Sequence, residues 1–320
     1  MATAIARPPE IVKARESTGT QIGEQVARLG TMAFAASILL ITVLIVWVLW
    51  DQSAAARGRF GFGFFTSNDW DPNAEKFGAL PFIYGTVLTS FLALLIAVPV
   101  ALGSAIFLAE LAPAKISSGL TFLVELLAAV PSVIYGLLAI FTVVPAMRDY
   151  IEPALKSTLG FLPLFQGQIF GVGYLTAGTV LAIMILPYIV SISREALLDV
   201  PREQREAALA LGATKWESTY QVVIPNARLG IIGGIMLGLA RALGETMAVT
   251  MVIGNDPSIK ASLFASGYTI AAVIANEFAE ANGSLHVSAL VALALVLFLL
   301  TFLINALARL LILLTAEKGS

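Results

Sequence analysis

Apolar residues in this chain are grouped in long uninterrupted blocks, without the alternating or one-faced stripes of a water-soluble fold. Residues 31–50 carry no charge over twenty positions, which makes about 30 Å of helix and is long enough to cross a bilayer. Further blocks at 80–109, 116–147, 171–192, 229–254 and 287–308 predict an all-α integral membrane protein of six transmembrane helices. Pro99 and Pro131 fall inside two of these blocks, and each predicts a kink where a neighbour meets the freed carbonyl, while Pro187 falls near the end of a third. The pattern Leu-Leu-X-Ala-Val-Pro recurs at 94–99 and 126–131, too short a repeat to establish duplication.

The connections are more varied. Residues 1–30 form a polar tail, and Ile22, Val26 and Leu29 share one helical face that suits the membrane surface. A cleaved signal peptide is the rival reading of this end, but its apolar run would be too long and its leading region would span thirty residues. In the 51–79 loop, Phe60, Phe62, Phe64, Phe65 and Trp70 read as an interfacial aromatic belt. Residues 148–170 form an external loop without a motif, and 258–285 an interfacial or re-entrant external segment.

Composition narrows the function. With 58% hydrophobic and 12% charged residues and a mean hydropathy of +0.89, a length-based count of soluble domains does not apply. A net charge of −2 offers no basic surface for nucleic acid. The absence of cysteine excludes disulfides, thiolate metal sites and cysteine nucleophiles. His286, the one histidine, has no second ligand at metal spacing and reads as a plain loop-end residue. Glu125, ten residues beyond Lys115, is expected near the cytoplasmic headgroups. No Gly-x-x-x-x-Gly-Lys-Ser/Thr loop and no catalytic constellation occurs, so the chain is expected to be non-catalytic, to hold no cofactor or metal, and to draw any energy from a partner. With both termini inside, cytoplasmic segments carry twelve Lys or Arg against six outside, the orientation favoured by the positive-inside rule.

Two features carry candidate chemistry. Residues 194–228 read as a polar helical hairpin: Asp199 caps a helix with Pro201 in its first turn, Gly212 ends it, Thr214 and Glu217 form a capping box for the second helix, and Pro225 ends that one. Behind it, the 229–254 run is uncharged except for Arg241 and Glu245, four apart and so on one helical face. Two charges at a helix centre cost about 2.5–3.5 kcal/mol each unless they face protein or water. Arg241 with Glu245 reads either as a donor fork for a crossing oxyanion, held and neutralised by the acid, or as a buried pair that sets helix docking. Gly230, Gly234 and Gly238 make a ridge for close helix packing, against a neighbour that could belong to a second subunit.

Glu206-Ala207-Ala208, Gly212 three residues on, and Val222-Val223-Ile224-Pro225 after nine more resemble the EAA loop of ABC importer permeases. Residues 238–249, Trp70-Asp71-Pro72, Phe77-Gly78-Ala79-Leu80-Pro81, Gly85-Thr86 and Ala128-Ala129-Val130-Pro131-Ser132 with Tyr135-Gly136 are similar to the phosphate-transport members of that class. The resemblance covers residues 60–315 and implies a type I (MetI-like) permease fold: a tail (1–30), a first span (31–50), an external loop (51–79) and a five-helix core (80–316). It also implies a bacterial inner-membrane location, a second homologous permease, an ABC ATPase dimer that uses ATP and Mg and receives the EAA loop, an external phosphate-binding protein, and phosphate as cargo. Molybdate or sulfate, or an ATPase-independent ion-coupled anion transporter, are the alternatives.

Overall fold

The computed structural model describes residues 18–316, with side chains for 24–310; the start of the 1–30 tail, including Ile22's side chain, lies outside that range. The first unit is one helix, α1 (Thr18–Gln52), which runs without a break from the polar tail into the expected span. Its side chains are exposed almost throughout, including Val26, Leu29 and the apolar positions of the span.

The second unit, residues 52–320, begins with an ordered cap where the sequence suggested an external loop. It comprises α2 (Ala54–Phe60), α3 (Gly63–Thr66) and a small antiparallel hairpin of β1 (Trp70–Asp71) and β2 (Lys76–Phe77). The aromatics do not form a uniform belt. Phe62 is 91% exposed, whereas Phe64 and Phe77 are buried in a cluster with Phe82, Tyr268 and Leu290.

Next comes α4 (Leu80–Ile106), extended by a wider π turn (Phe107–Leu111). Ala93, Ala97, Ala101 and Ala105 are fully buried along one face of α4, a small-residue stripe that lets it pack along the later α9. The third apolar block is two helices, α5 (Ala114–Ala129) and α6 (Ser132–Phe141), bent by 94° where a kink was expected. Pro131 has no N–H and drives Val130 to extended geometry (ψ 129°), so the helix stops and restarts. The motif-free loop expected at 148–170 is also structured, by α7 (Val143–Ala146), a π turn and α8 (Glu152–Leu159).

α9 (Tyr174–Leu198) is the central helix, with about half its residues buried between α4 and α12. It leads to the hairpin helices α10 (Arg202–Ala210) and α11 (Lys215–Ser218), and from there through a π turn (Thr219–Val223) into α12 (Ile224–Leu243). The apolar block then breaks again before α13 (Met247–Val252). Residues 258–285 fold back into the protein: Phe264 and Ile270 are fully buried, Ile270 N donates to Thr86 Oγ1 at 3.0 Å, and α14 (Ile270–Glu277) packs on α15 (Ser284–Ala316). Among the described residues, five helices are long and apolar enough to cross a membrane, six if the bent α5–α6 pair counts as one span.

Candidate functional site

The hairpin is built by local chemistry. Gly212 takes φ +93°, its N–H meets Leu209 O at 3.0 Å, and Ala213 N meets Ala208 O at 3.1 Å, the paired closure by which a left-handed residue ends a helix. Thr214 and Glu217 form the reciprocal capping box, at 3.2 and 2.7 Å. Asp199, expected as a cap, instead closes α9; Pro201 in extended geometry is the residue that precedes α10. Glu206 and Ala207 are exposed and Ala208 is half-buried; the two alanines line a groove of about 740 Å³ together with Leu211, Gly212 and Val222.

Pro225 does not end the second helix. It sits in the first turn of α12, directly after the π turn, and Lys215–Leu243 forms a continuous span of 29 residues. A proline at the start of a helical segment loses a donor that the widened turn already leaves without a regular partner, so the path can continue through it.

Along α12, the three glycines meet α9 of the same chain, not another subunit. A Cβ at Gly230 would lie 2.3 Å from Ala196 Cβ, one at Gly234 3.2 Å from Ile192 Cβ, and one at Gly238 2.8 Å from Ile189 Cγ1. Each distance is shorter than ordinary contact, and at Gly230, against the short Ala196 side chain, a Cβ has no room without a backbone shift.

Arg241 and Glu245 do not share a helical face. α12 ends at Gly244 (φ −94°, ψ 0°), and Glu245 turns to cap α13, accepting Ala248 N–H through Oε1 at 3.2 Å. Its Oε2 stands 4.0 Å from Arg241 Nη2, a long ion pair with no hydrogen bond. Glu245 thus divides its carboxylate, one oxygen capping α13 and the other in a Coulombic contact with the guanidinium fork. Arg241 rests on the Tyr188 ring, 5.1 Å from its centroid, with Nε making no hydrogen bond among the described residues. Glu245 is 6% exposed and Arg241 36%.

Two tyrosines that sequence reasoning missed complete the arrangement. Tyr135 donates its hydroxyl at 2.8 Å to Leu127 O, the carbonyl that an N–H at Pro131 would have reached and that Val130 N–H now meets at 3.2 Å, and Tyr188 donates to Ala128 O at 2.9 Å. The Tyr188 ring under Arg241 therefore belongs to the residue that also anchors the α5–α6 break. The two broken helices touch: a Cβ at Gly136 of α6 would lie 2.6 Å from Met251 Sδ and 2.9 Å from Ala248 Cα of α13. The available signal was positional, since Tyr135 follows Pro131 by one helical turn and Tyr188 follows Pro187.

Other polar groups are engaged elsewhere. His286 lies in the first turn of α15, bonded through Nε2 to Glu277 Oε2 at 3.0 Å and stacked on Phe77; Trp70 Nε1 donates to the same oxygen. Glu125 is exposed on α5 beside Arg194. Among the described residues no group of three His, Cys, Asp or Glu is placed to hold a metal.

Residues 98–313 match the family described as binding-protein-dependent transport system inner membrane component. The chain is 47% identical over 95% of its own length, and 95% of the relative's, to the phosphate transport system permease protein PstC of Mesorhizobium japonicum. It is 46% identical to the protein of that name from Pasteurella multocida, over 92% of this chain and 93% of that one. A probable phosphate transport system permease protein PstC of Methanocaldococcus jannaschii is 38% identical, over 76% and 79%. Among solved structures, an inward-facing form of the MetNI methionine ABC transporter superposes with a TM-score of 0.50 at 17% identity, covering 71% of this chain and 93% of that one, a likeness of fold alone. With the EAA hairpin joined to a broken-helix membrane core, the chain belongs to the binding-protein-dependent transport system inner membrane components, the permease subunits of ABC importers.

Proposed function

We propose that this chain is the permease subunit that passes inorganic phosphate into the cytoplasm within an ATP-driven importer. The observation that carries this reading is the continuous helical path from Lys215 to Leu243, which joins the exposed hairpin to the arginine at the α12 break. In this reading Glu206, Ala207, Ala208 and Gly212 meet an ABC ATPase dimer, which binds ATP and Mg, and Pro225 lies on the rigid connection. Arg241 presents a planar fork to an oxyanion, its stem backed by Tyr188, while Glu245 keeps the break formed and the empty path close to neutral. The 47% identity to phosphate permeases over nearly the whole of both chains supports phosphate over molybdate or sulfate.

A second homologous permease and an external phosphate-binding protein complete the assembly, with no nucleic acid involved. The chain lies in the bacterial inner membrane among its lipids, with both termini and the 194–228 loop in the cytoplasm and the 51–79 cap outside. Alternating access then follows from rigid-body movement of packed helices. Uptake of labelled phosphate by the reconstituted assembly tests this. Arg241→Gln is expected to reduce uptake by about a hundredfold or more, the loss of a charge-assisted bidentate contact, with assembly unchanged. Unchanged uptake removes Arg241 from the path, and stronger competition by molybdate or sulfate than by unlabelled phosphate reassigns the cargo.

A further inference from the structure

α10 carries the Glu-Ala-Ala signature, yet the membrane core barely holds it through apolar contact. None of its residues is buried, and its only half-buried side chains are Arg205 and Ala208. The apolar cluster directly behind it, Ala105, Leu197, Val200, Val223, Ala227 and Ile231, includes no residue of α10.

One guanidinium supplies the missing connection. Arg205 Nη2 donates to Glu110 Oε1 at 2.8 Å and Nε donates to the same oxygen at 3.2 Å. Nη2 also meets Leu197 O at 2.6 Å, and Nη1 meets Val200 O. The pair is sheltered, with side chains 19% and 13% exposed, so solvent screens it less than a surface pair. Glu110 lies on the π turn that ends α4, and Leu197 and Val200 offer carbonyls that the end of α9 leaves open. A fork of five donors fits three acceptors on two helix ends; a lysine, a point donor on a flexible stem, does not.

We infer that Arg205 is a positioning residue for energy coupling, through which displacement of α10 is delivered to α4 and α9. The hairpin then has two outputs. One is the unbroken helix to α12 and Arg241; the other is the Arg205 fork, which engages the closely packed pair behind it. Because α4 and α9 are joined along their buried faces and α12 packs on α9 through its glycines, a pull on the cytoplasmic ends of α4 and α9 is passed along both, and α9 carries the Tyr188 ring on which Arg241 rests. This inference rests on the proposed docking of the hairpin to an ATPase.

The test uses the whole importer in proteoliposomes, with its partner permease, ATPase and external binding protein, and reads labelled phosphate taken up per ATP hydrolysed. Arg205→Ala and Arg205→Lys are expected to lower that ratio by about tenfold, within the usual range of coupling between sites. Hydrolysis without binding protein should stay within about twofold of wild type, because the exposed face of α10 is unaltered. Adding Glu110→Ala to Arg205→Ala should lower the ratio no further, since the two residues act as one unit. A parallel fall in uptake and hydrolysis with an unchanged ratio would mark Arg205 as a fold stabiliser and overturn the inference, as would a wild-type ratio in both variants. Should Arg205→Ala fail to assemble, Arg205→Lys and Glu110→Gln decide the matter by the same ratio. If the wild-type assembly takes up phosphate without hydrolysis, the docking reading itself fails, which distinguishes the two.

Discussion

Arg241 owes its placement to an aromatic face and a helix break more than to its acidic neighbour. At 4.0 Å the Glu245 contact is a bare Coulombic one, and the ring of Tyr188 offsets only about 0.5–2 kcal/mol of the cost of holding a guanidinium in a membrane domain. The residue therefore keeps unused donor capacity, which is the property an oxyanion path needs. Glu152 presents the opposite problem at the other end of the chemistry. Its carboxyl is fully buried, with Oε2 accepting Gly171 N–H at 3.2 Å and Oε1 without a partner among the described residues, so burial pushes its pKa above the ordinary glutamate range. The folded state thus holds this proton more tightly than the unfolded chain. The contribution is complete below the unfolded value of about 4.3, declines at up to about 1.4 kcal/mol per pH unit above it, and is gone beyond the folded pKa. Glu152→Gln keeps an acceptor for Gly171 and removes the titration, so its thermal stability in detergent should lose that descent. A variant that retains the wild-type slope would place the titrating group elsewhere.

At the level of elements, the chain uses prolines and glycines in opposed ways. Pro131 separates two helices by 94° with two tyrosines taking the exposed carbonyls, while Pro99 and Pro187 remain inside continuous helices and Pro225 follows a π turn into α12. The glycines of α12 instead serve contact with α9. Gly230→Ala would place a methyl group 2.3 Å from Ala196 Cβ, with no flexible side chain to yield, and should cost about 1–3 kcal/mol in thermal unfolding. Ala196→Gly removes the obstructing atom and should restore most of the loss; failure of that rescue would mean the helices meet elsewhere. The sequence made the apolar blocks, Gly212 and the capping box readable, because each is decided within a few residues. The two breaks were not. A proline announces a lost donor, but whether the helix bends, widens or stops depends on distant partners such as Tyr188 for Ala128. Likewise the i, i+4 spacing of Arg241 and Glu245 assumed a helix that Gly244 ends, and the apolar density of 258–285 did not reveal that α4 and α15 bury it.

For the whole molecule, the hairpin can do mechanical work only if it and the 52–79 cap lie on opposite sides of the membrane. The 12-to-6 distribution of Lys and Arg favours that arrangement, and five of the twelve lie in 194–228. The chain contains no cysteine, so a single introduced thiol reports on one position without background. Leu211 and Phe62 are each 91% exposed, one at the hairpin turn and one in the cap, so replacing either should disturb no core contact. In cells lacking the ATPase subunit, a membrane-impermeant maleimide should label Phe62→Cys from outside, and Leu211→Cys only after the membrane is opened. Restoring the ATPase should then slow labelling of Leu211→Cys while leaving Phe62→Cys unchanged, because docking would cover the groove that Leu211 lines. Labelling of Leu211→Cys in intact cells would invert the topology, and no partner hydrolysing cytoplasmic ATP could reach the hairpin. Equal labelling with and without the ATPase would leave the topology standing but move the docking surface off this groove.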